Sequence, residues 1–348
     1  MNLHPLKRLV IAAAAIAAIG GTAQAASIAG AGSTFAYPIY AKWADAYKKL
    51  TGVGLNYQSI GSGGGIQQIE AKTVTFGASD MPLSAAVLAR NGLIQFPTVM
   101  GGVVPVVHIA GVGPGQLRLD GATLASIYLG EITTWNDPRI QRLNPKLKLP
   151  ATAIAPIYRS DGSGTNFLFT YYLSQTNPHF KARVGANTSV QWPVGIGAKG
   201  SEGVSSMAQQ TDGAITYVEY AYSIQNKMTY ALLTNRAGRA VAPSSKTFQA
   251  AAAHADWAHA QAYNLILTDQ PGPDSWPITG ATFILMRSAP TDAKAAAGAL
   301  NFFSWAYKNG DAMAASLDYV PLPASLKAQI QKGWSGEIKV GGRPLWNN

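Results

Sequence analysis

Cysteine is absent from all 348 residues. No disulfide can therefore hold the fold together, and no thiol can accept a lipid at a processing site. Charge is sparse as well: Asp, Glu, Lys and Arg make up only 13% of the chain. The basic residues outnumber the acidic ones, 27 to 17, yet they are scattered along the sequence. Nucleic-acid binding would need them clustered with exposed aromatics on one face, so that class is excluded. A surplus of positive charge without clustering suits a small anion as the solute. Nucleotide signatures are missing too. No glycine-rich turn ends in Gly-Lys-Ser/Thr, and no GxGxxG follows a strand in a dinucleotide-binding setting. The spacing of His254, Asp256 and His259 is no recognised metal-ligand pattern and reads as a solvated helix end. His108 lies in an apolar strand and reads as a core or cleft-edge histidine. No Ser–His–acid trio and no paired-carboxylate motif is present in the sequence pattern.

What is present begins with an export signal. Lys7 and Arg8 precede an uncharged apolar run from Leu9 to Ile19, and Ala23-Gln24-Ala25 supplies small residues for cleavage. The run is 11 residues long, against roughly 20 for a membrane-spanning helix. It predicts a signal peptide over 1–25, removal after Ala25, and a mature protein in the periplasm. Processing would remove Lys7 and Arg8 and lower the formal charge from +10 to about +8. Residues 26–348 are enough for two domains with self-sufficient cores.

Apolar periodicity then sets the elements. Ile39, Tyr40, Trp43, Tyr47 and Leu50 recur at helical spacing, which predicts a helix over Pro38–Leu50. Strands are expected over Gly54–Ile60, Val74–Ala78, Ile154–Tyr158, Ala214–Val218 and Thr282–Met286. The apolar stretch Val103–Ile109 suits a buried parallel sheet. Short helices are expected over Ile66–Ala71 and Gly164–Leu173, and longer ones over Ala293–Tyr307 and Ala324–Trp334. Strands alternating with helices make this an α/β protein.

Three segments combine glycine with hydroxyl residues just ahead of a predicted helix: Ala29–Phe35, Ile60–Gly65 and Arg159–Thr165. A helix N-terminus offers unpaired N–H groups and the positive end of its dipole, so it favours anions. Glycine lets the backbone come close, and Ser or Thr adds a hydroxyl donor. One such segment is an ordinary helix cap. Three in one chain, the last led by Arg159, point to a shared anion site.

The segments AGSTFAYPIYAKWADAYKKLTG, NYQSIGSGGGIQQI, TFGASDMPLS, RSDGSGTNFLFTYYL and GAITYVEYAY resemble the periplasmic phosphate-binding proteins of phosphate-specific ABC importers. The resemblance extends through WPITGATFILM to the C-terminal helices. It implies a two-lobed periplasmic binding protein of type II. Each lobe would be a central sheet flanked by helices, with the ligand in the interlobe cleft. Lobe one would take 26–108 plus 283–348, and lobe two 109–282. By resemblance the phosphate ligands fall on Thr34, Phe35 through its backbone N–H, Ser62, Asp80, Arg159, Ser163, Gly164 and Thr165. Asp161 would orient Arg159 from behind. The implied partners are inorganic phosphate and the permease and ATPase subunits of the importer; no cofactor, no metal and no enzymatic activity are implied, and a monomer is expected. Ser33, Ala36 and Gly63 depart from the family pattern without removing a ligand group, and bear on the stiffness of the loops. Two other readings are a binder of a different oxyanion and a secreted phosphatase-like relative.

Asp80 supports the phosphate reading on chemistry alone. A carboxylate in an anion site repels its guest unless the guest still carries a proton to donate. Phosphate near neutral pH has such a proton and sulfate has none. A buried acceptor left unpaired costs about 1–3 kcal/mol, more when charged. The planar guanidinium of Arg159 supplies the positive charge and can grip two oxygens of a tetrahedral anion.

Overall fold

The computed structural model describes residues 28–347. The expected signal peptide, 1–25, lies outside the described residues. Among those described, no helix is long and apolar enough to cross a membrane.

The first half of the fold opens with β1 (Ile28–Gly32), α1 (Tyr37–Thr51), β2 (Leu55–Ser59), α2 (Ser62–Glu70) and β3 (Phe76–Ser79). Proline sits in the first turn of α1, where its missing N–H would be unpaired in any case. Gly52 ends that helix in the left-handed region with φ 76°. Gly30 lets the ring of Phe76 lie against β1, because any Cβ there would occupy the ring's place. The apolar face of α1 buries Ile39, Tyr40, Trp43 and Tyr47. Tyr40 meets Phe303 edge to face at 6.2 Å, and Phe303 meets Phe76 at 5.0 Å.

β4 (Leu93–His108) is the spine of the molecule, and 15 of its 16 residues are buried. The second half adds β5 (Ala155–Arg159), α3 (Gly164–Thr176), β6 (Ile196–Ala198), α4 (Gly200–Gln210), β7 (Ala214–Glu219) and α5 (Tyr220–Gln225). The chain then returns through β8 (Thr279–Arg287), α6 (Ala293–Asn309) and α7 (Ala324–Glu337). The strand order along the main sheet is β2-β1-β3-β8-β4-β7-β5-β6. Residues 93–102 of β4 pair with β8, and residues 103–108 pair with β7. One strand thus changes partner between Gly102 and Val103 and carries both halves of the sheet.

The sequence expectations hold for most elements, with four differences. β4 is antiparallel to both of its principal neighbours, so its apolar run reflects burial on both faces and not a parallel ladder. It also begins ten residues before the expected strand; Pro97 is accommodated beside a register shift opposite Thr282 and Phe283, where a ladder N–H is not needed. The helix expected from Ile66 begins earlier, and Ser62–Gly65 is already the first turn of α2. His108 is the exposed end of β4 and not a core residue; its Nδ1 lies 3.1 Å from Thr211 O.

Strands β1, β2 and β3 are mutually parallel, as are β5, β6 and β7. Their carboxyl ends therefore gather on one edge of each half, the usual location of a binding site in an open α/β sheet.

Candidate functional site

Each expected loop leaves the carboxyl end of a strand. Thr34 and Phe35 follow β1, Ser62 follows β2, Asp80 follows β3, and Arg159 ends β5. Ser163 is the N-cap of α3 and its Oγ accepts the Asn166 N–H at 3.0 Å, while Gly164 and Thr165 form the first turn. All of these residues are buried: Thr34 is 1% exposed, Asp80 1% and Arg159 3%. The Phe35 ring packs edge to face on Tyr319 at 6.0 Å, which anchors the first loop in the core.

The two halves touch through these very groups. Gly164 N–H donates to Ser62 Oγ at 3.0 Å, and Asp80 N–H donates to the same oxygen at 3.1 Å. Gly63 N–H donates to Gly162 O at 2.7 Å across the same seam. Glycine at 63 and 162 is what permits this approach, since a Cβ on either would meet the other's Cα at 3.0 Å. A Cβ on Gly164 would overlap Ser62 Oγ and the Asp80 carboxyl group. The structure is thus the closed arrangement, with site groups from both halves bonded to each other.

Arg159 is held in a fixed pose. Its Nε donates to Asp161 Oδ1 at 2.7 Å and its Nη2 to Asp161 Oδ2 at 2.5 Å, a bidentate pair. Gly200 N–H donates to Asp161 Oδ1 at 2.9 Å. Burial pushes the Asp161 carboxyl up, but the guanidinium outweighs it and holds the group below the usual carboxylate range. The Nε–Nη2 edge of the guanidinium is therefore taken by Asp161, which leaves its Nη1 side for other partners. Nη1 is what turns inward, 3.1 Å from Thr34 Oγ1 and 3.3 Å from Ser201 Oγ.

Asp80 is ringed by hydroxyls. Ser33 Oγ donates to its Oδ1 at 2.6 Å, Thr282 Oγ1 to the same atom at 2.7 Å, and Ser62 Oγ to Oδ2 at 3.4 Å. Burial pushes this carboxyl up to about 6, and the hydroxyls of Ser33 and Thr282 and the charge of Arg159 oppose that rise. Ser33 thus bears directly on the Asp80 proton and not only on loop stiffness. The Thr165 hydroxyl is buried with no hydrogen-bond partner, an arrangement that normally requires a further polar group.

Sequence reasoning missed three contributors. Thr282 lies in the middle of β8 and reaches Asp80 only through the fold. Ser201 Oγ lies 2.8 Å from Thr34 Oγ1 and 3.0 Å from Glu219 Oε2. Glu219 ends β7 at 1% exposure, and burial holds its carboxyl well above the ordinary range despite Arg159 and Ser201. Gly200-Ser201 at the start of α4 repeats the glycine-plus-hydroxyl signal of the other loops; Glu219 carries no such signal. Among the described residues no group of three His, Asp or Glu side chains could hold a metal. His259 and Asp256 pair with each other at 2.8 Å on the surface.

A sheet of two halves sharing one spine, with strand ends from both closing on a buried polar chamber, defines a solute-binding protein, and residues 17–309 match the PBP superfamily domain. The chain is 51% identical over 316 residues to the phosphate-binding protein PstS of Xylella fastidiosa (strain 9a5c), covering 91% of this chain and 87% of that protein. It is 48% identical over 341 residues to PstS of Pasteurella multocida, covering 98% of this chain and 99% of that one. The chain belongs to the family of the phosphate-binding proteins PstS, a family of binding proteins and not of enzymes. Among solved structures, the fold is similar to a phosphate-binding protein from Stenotrophomonas maltophilia (TM-score 0.67, 20% identity, 87% of this chain and 92% of that one). It is also similar to a high affinity periplasmic phosphate-binding protein solved with phosphate (TM-score 0.71, 21% identity, 91% and 96%). At those identities the likeness is one of fold.

Proposed function

We propose that this protein captures inorganic phosphate in the periplasm and hands it to the permease and ATPase subunits of an ABC importer, acting as a monomer. The ligands in this reading are Thr34, Phe35 N–H, Ser62, Asp80, Arg159, Ser163, Gly164 and Thr165, with Asp161 orienting Arg159. The observation that carries it is Asp80. A buried carboxylate ringed by hydroxyls and within the field of Arg159 can accept a hydrogen bond from a proton on the guest, which selects a protonated oxyanion. The lobes in this reading are 26–108 plus 283–348 and 109–282; the partner change of β4 at Gly102 and Val103 supports a crossing close to the first of these boundaries. Several charge-assisted hydrogen bonds of roughly 1.5–3 kcal/mol each suffice for micromolar or tighter affinity, about −8.2 kcal/mol. Only the closed form brings donors of both halves to one anion, so the guest favours closure.

Calorimetry of the purified protein against phosphate, sulfate and an aryl phosphate ester tests this directly. Phosphate is expected to bind and sulfate and the ester to give no heat. Sulfate competing at comparable concentration would favour a binder of another oxyanion, and turnover of the ester would favour a phosphatase-like relative. Gly164→Ala is expected to weaken phosphate binding at least about tenfold, since the added methyl overfills a closed seam at about 1–3 kcal/mol. Its unliganded melting temperature is expected to stay close to that of the wild type, provided the lobes can open to relieve the clash. Unchanged affinity would mean that closure does not pass through this contact.

A further inference from the structure

Behind Arg159 the hydrogen bonds run in a line that ends on an acid. Thr34 Oγ1 lies 2.8 Å from Ser201 Oγ, which lies 3.0 Å from Glu219 Oε2, and Arg159 Nη1 donates to both hydroxyl oxygens. Each hydroxyl owns one proton. If Glu219 were ionised, the Ser201 proton would point at Glu219 and the Thr34 proton at Ser201, so neither could serve an anion. If Glu219 keeps its proton, it donates to Ser201, Ser201 donates to Thr34, and the Thr34 proton is released towards the anion.

Two further features favour the protonated state. Glu219 Oε1 is buried with no hydrogen-bond partner, which a carboxylate tolerates poorly and the carbonyl oxygen of an acid tolerates better. The charge balance points the same way. Arg159 is already matched by Asp161, and Asp80 faces it from β3, so an ionised Glu219 would add a negative charge to a chamber meant for an anion. The titratable groups whose fields act on or are acted on by Glu219 are Arg159 of β5, Asp80 after β3, Tyr222 of α5 and Tyr319 ahead of Val320–Pro321. Glu202 of α4 is turned aside onto the Tyr222 hydroxyl at 2.6 Å, and β4 presents Val103 opposite Glu219.

We propose that Glu219 is a positioning residue that enters the phosphate complex as a neutral acid, donating a hydrogen bond to Ser201 so that Ser201 donates to Thr34 and the Thr34 hydroxyl turns its proton to the anion. This rests on the reading that phosphate occupies the chamber. Glu219→Ala is expected to weaken phosphate binding at least about tenfold, the effect of one unmatched hydrogen bond in a buried site. Glu219→Gln is expected to restore it, because the amide N–H donates to Ser201 as the acid does. An infrared difference spectrum of phosphate-loaded wild type against Glu219→Gln is expected to show one protonated-carboxyl carbonyl band lost in the variant. A Glu219→Gln protein that binds as weakly as Glu219→Ala, or a spectrum in which no such band is lost, overturns the proposal. If the wild type itself gives no heat with phosphate, the phosphate reading fails and this inference with it, a result visible without any variant.

Discussion

Arg159→Ala is expected to weaken phosphate binding by about a hundredfold or more and to destabilise the unliganded fold at the same time. Truncating one member of a buried, hydrogen-bonded charge pair costs about 2–5 kcal/mol in binding, and removing the only compensating charge from a buried pair costs about 3–5 kcal/mol in stability. Both apply here, because Arg159 is 3% exposed and its partner Asp161 is fixed by two guanidinium bonds. In the variant an incoming anion meets Asp80 and Asp161 with no arginine between them. The double change Arg159→Ala with Asp161→Ala separates the two effects: stability is expected to return in large part, and binding is not. Urea unfolding and calorimetry on both proteins check this. Binding within a factor of ten of wild type in Arg159→Ala would place the anion elsewhere.

How much of this was legible beforehand depends on whether a residue's job is local. The three glycine-and-hydroxyl loops could be found because a helix start is built from neighbours in sequence, and all three lie where strand ends meet. The spine strand was half hidden. Pro97, Gly101 and Gly102 are poor strand formers by type, yet a bulge absorbs the proline, and the glycines make room for the rings of Phe35 and Phe248. The antiparallel pairing of β4 was not legible either, since a strand buried on both faces has the same composition in either orientation. Thr282, Ser201 and Glu219 act across separations of 202, 167 and 18 residues from their partners Asp80, Thr34 and Ser201. No periodicity records such meetings. Residue type shows that a guanidinium can grip two oxygens, but only packing shows that Asp161 takes its Nε–Nη2 edge and that Nη1 is the atom turned inward.

Asp80→Asn is expected to bring phosphate and sulfate affinities to within about tenfold of each other, because the amide can donate where the carboxylate can only accept. The same group predicts a pH dependence of definite sign. Burial pushes the Asp80 carboxyl up to about 6, so it is ionised at neutral pH and takes up a proton as the pH falls through about 6. Wild-type discrimination against sulfate should therefore fade on acidification through that value, and the Asn variant should show no such change. Stability moves the opposite way. A carboxyl raised in the folded state favours folding below its ordinary value of 3.8, and that contribution is lost as the pH rises through about 6. The gap is worth about 3 kcal/mol at about 1.36 kcal/mol per pH unit. Asp80 is 1% exposed, so solvent screening does not reduce it much. Unliganded Asp80→Asn is thus expected to be more stable than wild type at neutral pH by about 1–3 kcal/mol, with the difference vanishing in acid. The residue that selects the guest would then be one that the empty protein folds better without. Equal stability of the two proteins across the pH range, together with unaltered sulfate rejection, would show that Asp80 neither carries a buried charge nor reads the proton on the anion.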